Sequence, residues 1–171
     1  MSMAKTNDVP EQLMFEQVSV GDDMPRLEKA PLTTMHLMRW SSAMENWHRI
    51  HYDEKFSIEH DKLPGLLVNG SLKQNFIVQA LKDWAGLEGW VWKVSFQFRK
   101  MDVAGTSLWV WARVTEKIAL DDYGMVKLEL GIVNAEGRES TPGTAWVALP
   151  RKGGRVPYPF VAPRNLDRLF A

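Results

Sequence analysis

The chain has 171 residues, 45% of them hydrophobic and 25% charged, and its 21 basic side chains balance 21 acidic ones. That composition supports one buried core and argues against a disordered tail or a protein that lives on nucleic-acid phosphates, which usually carries a basic excess. The absence of cysteine excludes disulfides, thiol catalysis and thiolate metal sites, and it fits a reducing, cytoplasmic setting. The N-terminus, M-S-M-A-K-T-N-D-V-P-E-Q, lacks the apolar core of a signal peptide. No apolar run approaches the roughly 20 residues that span a bilayer. The expectation is therefore a soluble, cytoplasmic protein of one domain.

In chain order, residues 1–14 read as a flexible leader. Residues 15–22 read as a short segment ending in a Gly-Asp turn. Thr33 and Thr34 offer an N-cap for a helix over 35–45, with Met35, Leu37, Met38, Trp40 and Met44 on its apolar side. The polar stretch E-N-W-H-R-I-H-Y-D (45–53) follows that helix directly. Leu63-Pro64-Gly65 marks a turn, and Asn69-Gly70-Ser71 breaks the apolar run Leu66-Leu67-Val68. A second, more apolar helix is expected over 71–84, with Leu72, Phe76, Ala80, Leu81 and Trp84 at helical spacing and Ser71 and Gln74 at capping-box spacing.

From Trp90 the period changes to two: Trp90, Trp92, Val94, Phe96 and Phe98 alternate with Val91, Lys93, Ser95, Gln97 and Arg99. Further strands are expected over 107–116, 125–134 and 144–149, with turns at 102–106, 121–124 and 136–137. Four strands meandering after a central helix indicate an α+β domain with an antiparallel sheet. The domain occupies 15–150, and the Pro-, Gly- and Arg-rich segment 151–171 reads as a C-terminal extension.

Several chemistries are poorly supported. His48 and His51 form an H-x-x-H pair, but a metal site needs three or four ligands in fixed geometry, so no metal is assigned. There is no G-x-S-x-G elbow, and Gly153-Gly154 matches no phosphate loop. The eight tryptophans sit mostly in phase with helix and strand patterns, which favours core or subunit packing over base stacking. General acid–base chemistry remains. His51 titrates near neutral pH, and Asn46 flanks the same short turn.

The order of these segments and five local motifs resemble the MaoC-like hydratases of the hot-dog fold, in which an antiparallel sheet wraps a long helix. F-E-Q-V-S-V-G-D-D-M-P (15–25) resembles the family's N-terminal strand. N-W-H-R-I-H-Y-D resembles the hydratase motif N-P-H-R-I-H-Y-D, with Trp47 in place of Pro. L-P-G-L-L-V-N-G-S-L (63–72) is similar to the lead into the hot-dog helix, with Asn69 in place of a His. F-R-K-M-D-V-A-G-T (98–106) and G-T-A-W-V-A-L-P (143–150) resemble later strands.

The resemblance implies hydration of a trans-2-enoyl-CoA thioester to a 3-hydroxyacyl-CoA, or the reverse dehydration, with no cofactor beyond the CoA carrier. It makes His51 the acid/base and Asn46 its partner at the water, and it gives the backbone N–H of Gly70 the task of polarising the thioester carbonyl. Asn69, Trp47 and Ser71 become substrate-binding candidates, and Arg99, Lys100, Arg151 and Lys152 candidates for the CoA phosphates. Asn46 stands where the best-known hydratases carry Asp, and an amide accepts no proton. Either His51 moves the proton alone while Asn46 orients the water, or activity is low or absent. The resemblance also implies a homodimer, or pairing with a second hot-dog subunit. Two alternatives stay open: a thioesterase using Glu45 or Asp53, and a non-catalytic subunit of a heteromeric hydratase.

Overall fold

The computed structural model describes residues 11–162. Two helices and five strands follow in the order β1 (Leu27–Lys29), α1 (Thr34–Ala43), α2 (Gly70–Ala85), β2 (Trp90–Phe96), β3 (Leu108–Ala119), β4 (Tyr123–Asn134) and β5 (Glu139–Pro150). The strands form one antiparallel sheet in the order β1-β3-β4-β5-β2, and α2 lies against β2, β3, β4 and β5. The expected α+β architecture, a central helix wrapped by an antiparallel sheet, is what the chain adopts.

The core follows the two periodicities. Leu72, Phe76, Ala80 and Leu81 are buried as their helical spacing requires, joined by Ile77 and Ala85, while Trp84 is half-buried at the edge of the cluster. They meet the inward rows Val110, Ala112 and Val114 of β3 and Val126, Leu128, Leu130 and Ile132 of β4, all fully buried. Burying each such aliphatic side chain contributes about 1.5–3 kcal/mol, so the helix is held by its apolar stripe.

Three sequence expectations change. The first concerns the strand over 15–25. Phe15–Gln17 is a single 3-10 turn, Gly21 turns the chain at φ 97°, and only Asp23 makes a bridge, to Arg113. The short β1 supplies the edge instead, and its three residues are too few to carry a period-two signal. Second, the strands do not run as a simple meander: β2 pairs with β5 on the far edge, and the chain then crosses to β3. Third, the alternation in β2 breaks at a bulge between Val91 and Lys93. Val91, Val94 and Phe96 pack on the main core, whereas Trp92 joins a second cluster with Met125, Trp146 and Ala148. An extra residue in one strand shifts the facing of the residues after it.

Residues 12–14 are not a free leader. Gln12 bonds to the end of α2, Leu13 packs against the core, and the remainder of the expected leader, 1–10, lies outside the described residues. The extension begins as a cover: Val156 and Phe160 pack over the second cluster, with the Phe160 ring 6.0 Å from Tyr123 and 6.2 Å from Trp92. Its final part, 163–171, lies outside the described residues. Of the tryptophans only Trp146 is fully buried, and Trp47 and Trp90 are exposed, so most of them border the core instead of filling it.

Candidate active site

The polar stretch after α1 is held in place by backbone geometry. Thr33 precedes α1, and its N–H donates to His36 Nδ1 at 3.0 Å. At the other end the chain leaves through Glu45 in the left-handed region, φ 50°. Asn46 N–H returns to Ser41 O at 2.9 Å, and Glu45 N–H to Ser42 O at 3.3 Å. These are the two bonds of a Schellman closure, made here by Glu in a conformation that favours glycine. Asn46 Oδ1 then accepts the His48 N–H at 3.2 Å, an Asx turn that fixes the side chain. The amide nitrogen of Asn46 is its remaining donor.

His51 ends a 3-10 turn, Arg49–His51, and is buried. Its Nδ1 lies 2.9 Å from the Leu67 carbonyl, and a carbonyl only accepts. Nδ1 therefore carries the proton, and Nε2 presents its lone pair. A second bond, from Leu67 N–H to Ile50 O at 2.9 Å, laces the same two segments together. Burial pushes the His51 pKa below its ordinary 6.5, opposed by the Leu67 hydrogen bond and aided by the neighbouring His48. The imidazole is thus a neutral base at neutral pH.

Three residues beyond Leu67 the central helix begins. Asn69 is its N-cap residue, and its backbone oxygen accepts from Leu72 at 3.0 Å and Lys73 at 3.1 Å. The N–H groups of Gly70 and Ser71 have no acceptor among the described residues, and both residues are partly exposed. Unpaired amides at a helix N-terminus favour developing negative charge. Gly70 also has a packing reason: a Cβ there would stand 2.9 Å from Cε2 of the Phe98 ring.

The remaining candidates divide. Asn69 is fully buried, its Nδ2 donating to Ser41 Oγ at 3.0 Å while its Oδ1 has no hydrogen-bond partner among the described residues. Ser71 does not cap α2: it lies within the first turn, and its Oγ accepts from Trp40 Nε1 at 2.9 Å. Trp47 is 60% exposed, with its carbonyl taking the Tyr52 hydroxyl at 2.6 Å. Arg99 and Lys100 are exposed next to Phe98, on the segment that packs beside the start of α2. Arg151 and Lys152 are not brought to this place within the chain. They follow the far end of β5, a 12-residue strand, roughly 40 Å long at about 3.4 Å per residue. There Arg151 bonds to Glu16 at 3.0 Å and to Leu120 O at 2.7 Å. Asp53 is also committed: Oδ2 takes Arg49 at 2.7 Å and Oδ1 takes Phe56 N–H at 2.9 Å, contacts that hold its carboxyl below the usual range.

Sequence reasoning missed Ser41, Trp40 and Phe98, which frame the start of α2, because each fits an ordinary helix or strand pattern. A cavity of about 510 Å³ opens between α1 and α2, lined in part by Leu32, Arg39, Trp40, Ala43, Leu72 and Phe76. Trp40 is common to this cavity and to the Ser71 contact.

A family model, hydroxyacyl-thioester dehydratase type 2, matches residues 3–105. No curated protein matches the chain. Among solved structures the chain is similar to the R-hydratase PhaJ1 from Pseudomonas aeruginosa, with a TM-score of 0.73 at 16% identity, over 82% of this chain and 88% of that one. It is also similar to the (R)-hydratase from A. caviae involved in PHA biosynthesis, with a TM-score of 0.70 at 20% identity, over 79% and 99% of the two chains. A third similar structure is the ChsH1-ChsH2 complex from Mycobacterium tuberculosis, with a TM-score of 0.66 at 17% identity, over 77% and 98%. At these identities the structures establish the hot-dog fold, and the family model covers more than half of the sequence. The chain belongs to the hydroxyacyl-thioester dehydratase type 2 family.

Proposed function

We propose that the chain hydrates a trans-2-enoyl-CoA to a 3-hydroxyacyl-CoA, and catalyses the reverse dehydration, with His51 as the single acid/base. The observation that carries this is the bond from His51 Nδ1 to Leu67 O at 2.9 Å, which aims a proton-free Nε2 from a segment laced to the start of α2. In hydration Nε2 takes a proton from water, and the water oxygen forms its bond to C3. The C2–C3 π electrons move through the carbonyl carbon onto the thioester oxygen, as an enolate held by the Gly70 N–H. The enolate then collapses, and His51 returns the proton to C2, so H and OH have been added and the imidazole is neutral again. Asn46 contributes its amide N–H₂ to orient the water, since its oxygen is already bonded to His48 N–H.

The acyl group is assigned to the cavity beyond Trp40, and Arg99 and Lys100 to the CoA phosphates. A second copy is expected to pack along β2, the last strand of the sheet order. The direct test incubates the purified chain with a panel of enoyl-CoA thioesters, following loss of the enoyl chromophore and release of free thiol. Hydration without thiol release is the expected result. A folded chain that hydrates none of them, or that releases CoA from them, removes this reading.

A further inference from the structure

Inside the first turns of α2 lies an ion pair that the proposed chemistry does not use. Lys73 Nζ is 2.9 Å from Asp102 Oδ2, with the two side chains 4% and 0% exposed. Lys73 Nζ also donates to the Lys100 carbonyl at 3.3 Å and lies 5.3 Å from the centre of the Phe98 ring, the ring that rests on Gly70. Asp102 is bound from the other side as well. Its backbone oxygen accepts the Val68 N–H at 2.8 Å, and the next strand contact returns Ala104 N–H to Leu66 O at 2.9 Å.

Stability alone explains this arrangement poorly. Replacing a buried ion pair with apolar residues of similar size is often neutral or stabilising. A cation in the first turns of a helix also opposes the helix dipole, which favours anions there. The pair is incompletely satisfied too: Asp102 Oδ1 has no hydrogen bond among the described residues, and Arg138 Nη2 stands 4.0 Å away. What the pair does achieve is geometric. It pins the first turns of α2 to the segment 98–102 and sets Phe98 over Gly70.

We infer that Lys73 and Asp102 are positioning residues, which hold the Gly70 amide and the Phe98 ring in the arrangement that receives the thioester carbonyl. This rests on reading the start of α2 as the polarising end of a hydratase site. Neither residue is expected to touch substrate.

The test is the double variant Lys73→Met/Asp102→Leu, which removes both charges together. It should fold with nearly unchanged melting temperature. Its kcat for an enoyl-CoA should fall about 10- to 100-fold, the scale of a small misplacement of a catalytic group, while KM stays nearly constant. The Val68 and Ala104 amides should exchange with deuterium about tenfold faster, reporting a loosened helix start. Lys73→Arg, which keeps the charge, should recover part of the lost kcat. Wild-type kcat in the folded double variant, a loss confined to KM, or unchanged exchange at Val68 and Ala104 overturns the inference. If the double variant does not fold, Asp102→Asn, which keeps the shape and removes one charge of the pair, serves instead. Wild-type kcat and exchange there overturn the inference, and a lowered kcat with faster exchange supports it. Should the wild-type chain hydrate no enoyl thioester, the functional reading fails separately, and the exchange measurement still decides whether the pair holds the helix end.

Discussion

At its C-terminus α2 gives the Ala85 carbonyl to the Gln12 amide at 2.7 Å, Gly86 closes the last turn onto Lys82 O at 3.1 Å, and Gln12 Oε1 takes the Glu88 N–H at 2.9 Å. At its N-terminus the same helix leaves the Gly70 and Ser71 N–H groups unpaired among the described residues, where a buried Asn69 Oδ1 and Asp102 Oδ1 also lie without hydrogen bonds. An unsatisfied buried polar group costs about 1–3 kcal/mol, and folded proteins rarely leave one without a reason. One end of the helix is finished for stability, and the other keeps donors free. Phe98, 52% exposed on top of Gly70, and Trp47, 60% exposed on the turn before His51, leave apolar surface open.

The unfinished end depends most on His51. His51→Ala should lower hydration by about 10²–10⁴-fold, the range of a positioned acid/base, with little change in melting temperature, measured by enoyl-CoA turnover and thermal unfolding. Wild-type turnover in this variant would falsify the site assignment. The pH profile carries a matching sign. Hydration needs the neutral imidazole, and burial lowers the His51 pKa below 6.5. Thus kcat/KM should be flat at neutral pH and fall only as acid takes the pH through that lowered value. Stability has the same sign: the folded chain binds this proton less readily than the unfolded chain. The contribution is complete above about 6.5 and is lost as pH falls through the folded value.

Gly70→Ala tests the unfinished end itself. Its methyl group meets the Phe98 ring at 2.9 Å, so the ring or the helix start must shift, and a shift near 1 Å costs up to about 10² in rate. Turnover should fall by at least about tenfold on that scale. The double variant Gly70→Ala/Phe98→Ala should recover part of the loss because it removes the obstacle. Failure of Phe98→Ala to rescue would mean that Gly70 serves the ligand directly, not through the ring.

The apolar periods made the fold legible. The stripe Leu72, Phe76, Ala80, Leu81 placed α2, and three long strands with turns at 121–124 and 136–137 placed β3, β4 and β5. Strand order was not legible, because a crossover from β2 to β3 leaves no mark in a local period. The bulge between Val91 and Lys93 hid which face Trp92 takes, and a single inserted residue does not disturb composition. At the proposed site, the motifs named His51 and Gly70 but not the contacts that hold them. Lys73 sits beside the stripe, where a lysine reads as surface, and Asp102 reads as a turn residue. Their pairing depends on a contact across 29 positions that only the folded chain reveals.

Asn46 sharpens the comparison at smaller amplitude. Its oxygen holds the Asx turn to His48, a task an aspartate would also perform, so what distinguishes the amide is its N–H₂ donor. Asn46→Asp should therefore keep the turn, and on the proposed reading, with Asn46 and His51 sharing the water, it should also change the pH dependence, because a nearby carboxylate raises an imidazole pKa. Asn46→Ala loses turn and donor together and should lower kcat about tenfold, the value of one well-placed hydrogen bond to a reacting group, with KM changing less. A larger effect on KM than on kcat would move Asn46 from the water to ligand binding.

The finished end supplies the smallest effect. Gln12 fills three requirements there: it accepts Glu88 N–H, donates to the Ala85 carbonyl and closes over Gly86, whose backbone, at φ 73°, brings it within reach. Gln12→Ala strips these hydrogen bonds, and the one to Leu13 O, from a partly exposed position where water replaces them, so the loss should be only about 1–2 kcal/mol, read from denaturant unfolding. Turnover per folded molecule should stay at the wild-type level, because α2 is anchored along its length by Leu72, Phe76, Ile77 and Leu81, which lie between Gln12 and the start of the helix. A drop in kcat without a drop in stability would show that the two ends are mechanically coupled. The free amides of Gly70 and Ser71 would then owe their position to the cap at the opposite end as well as to the residues around them.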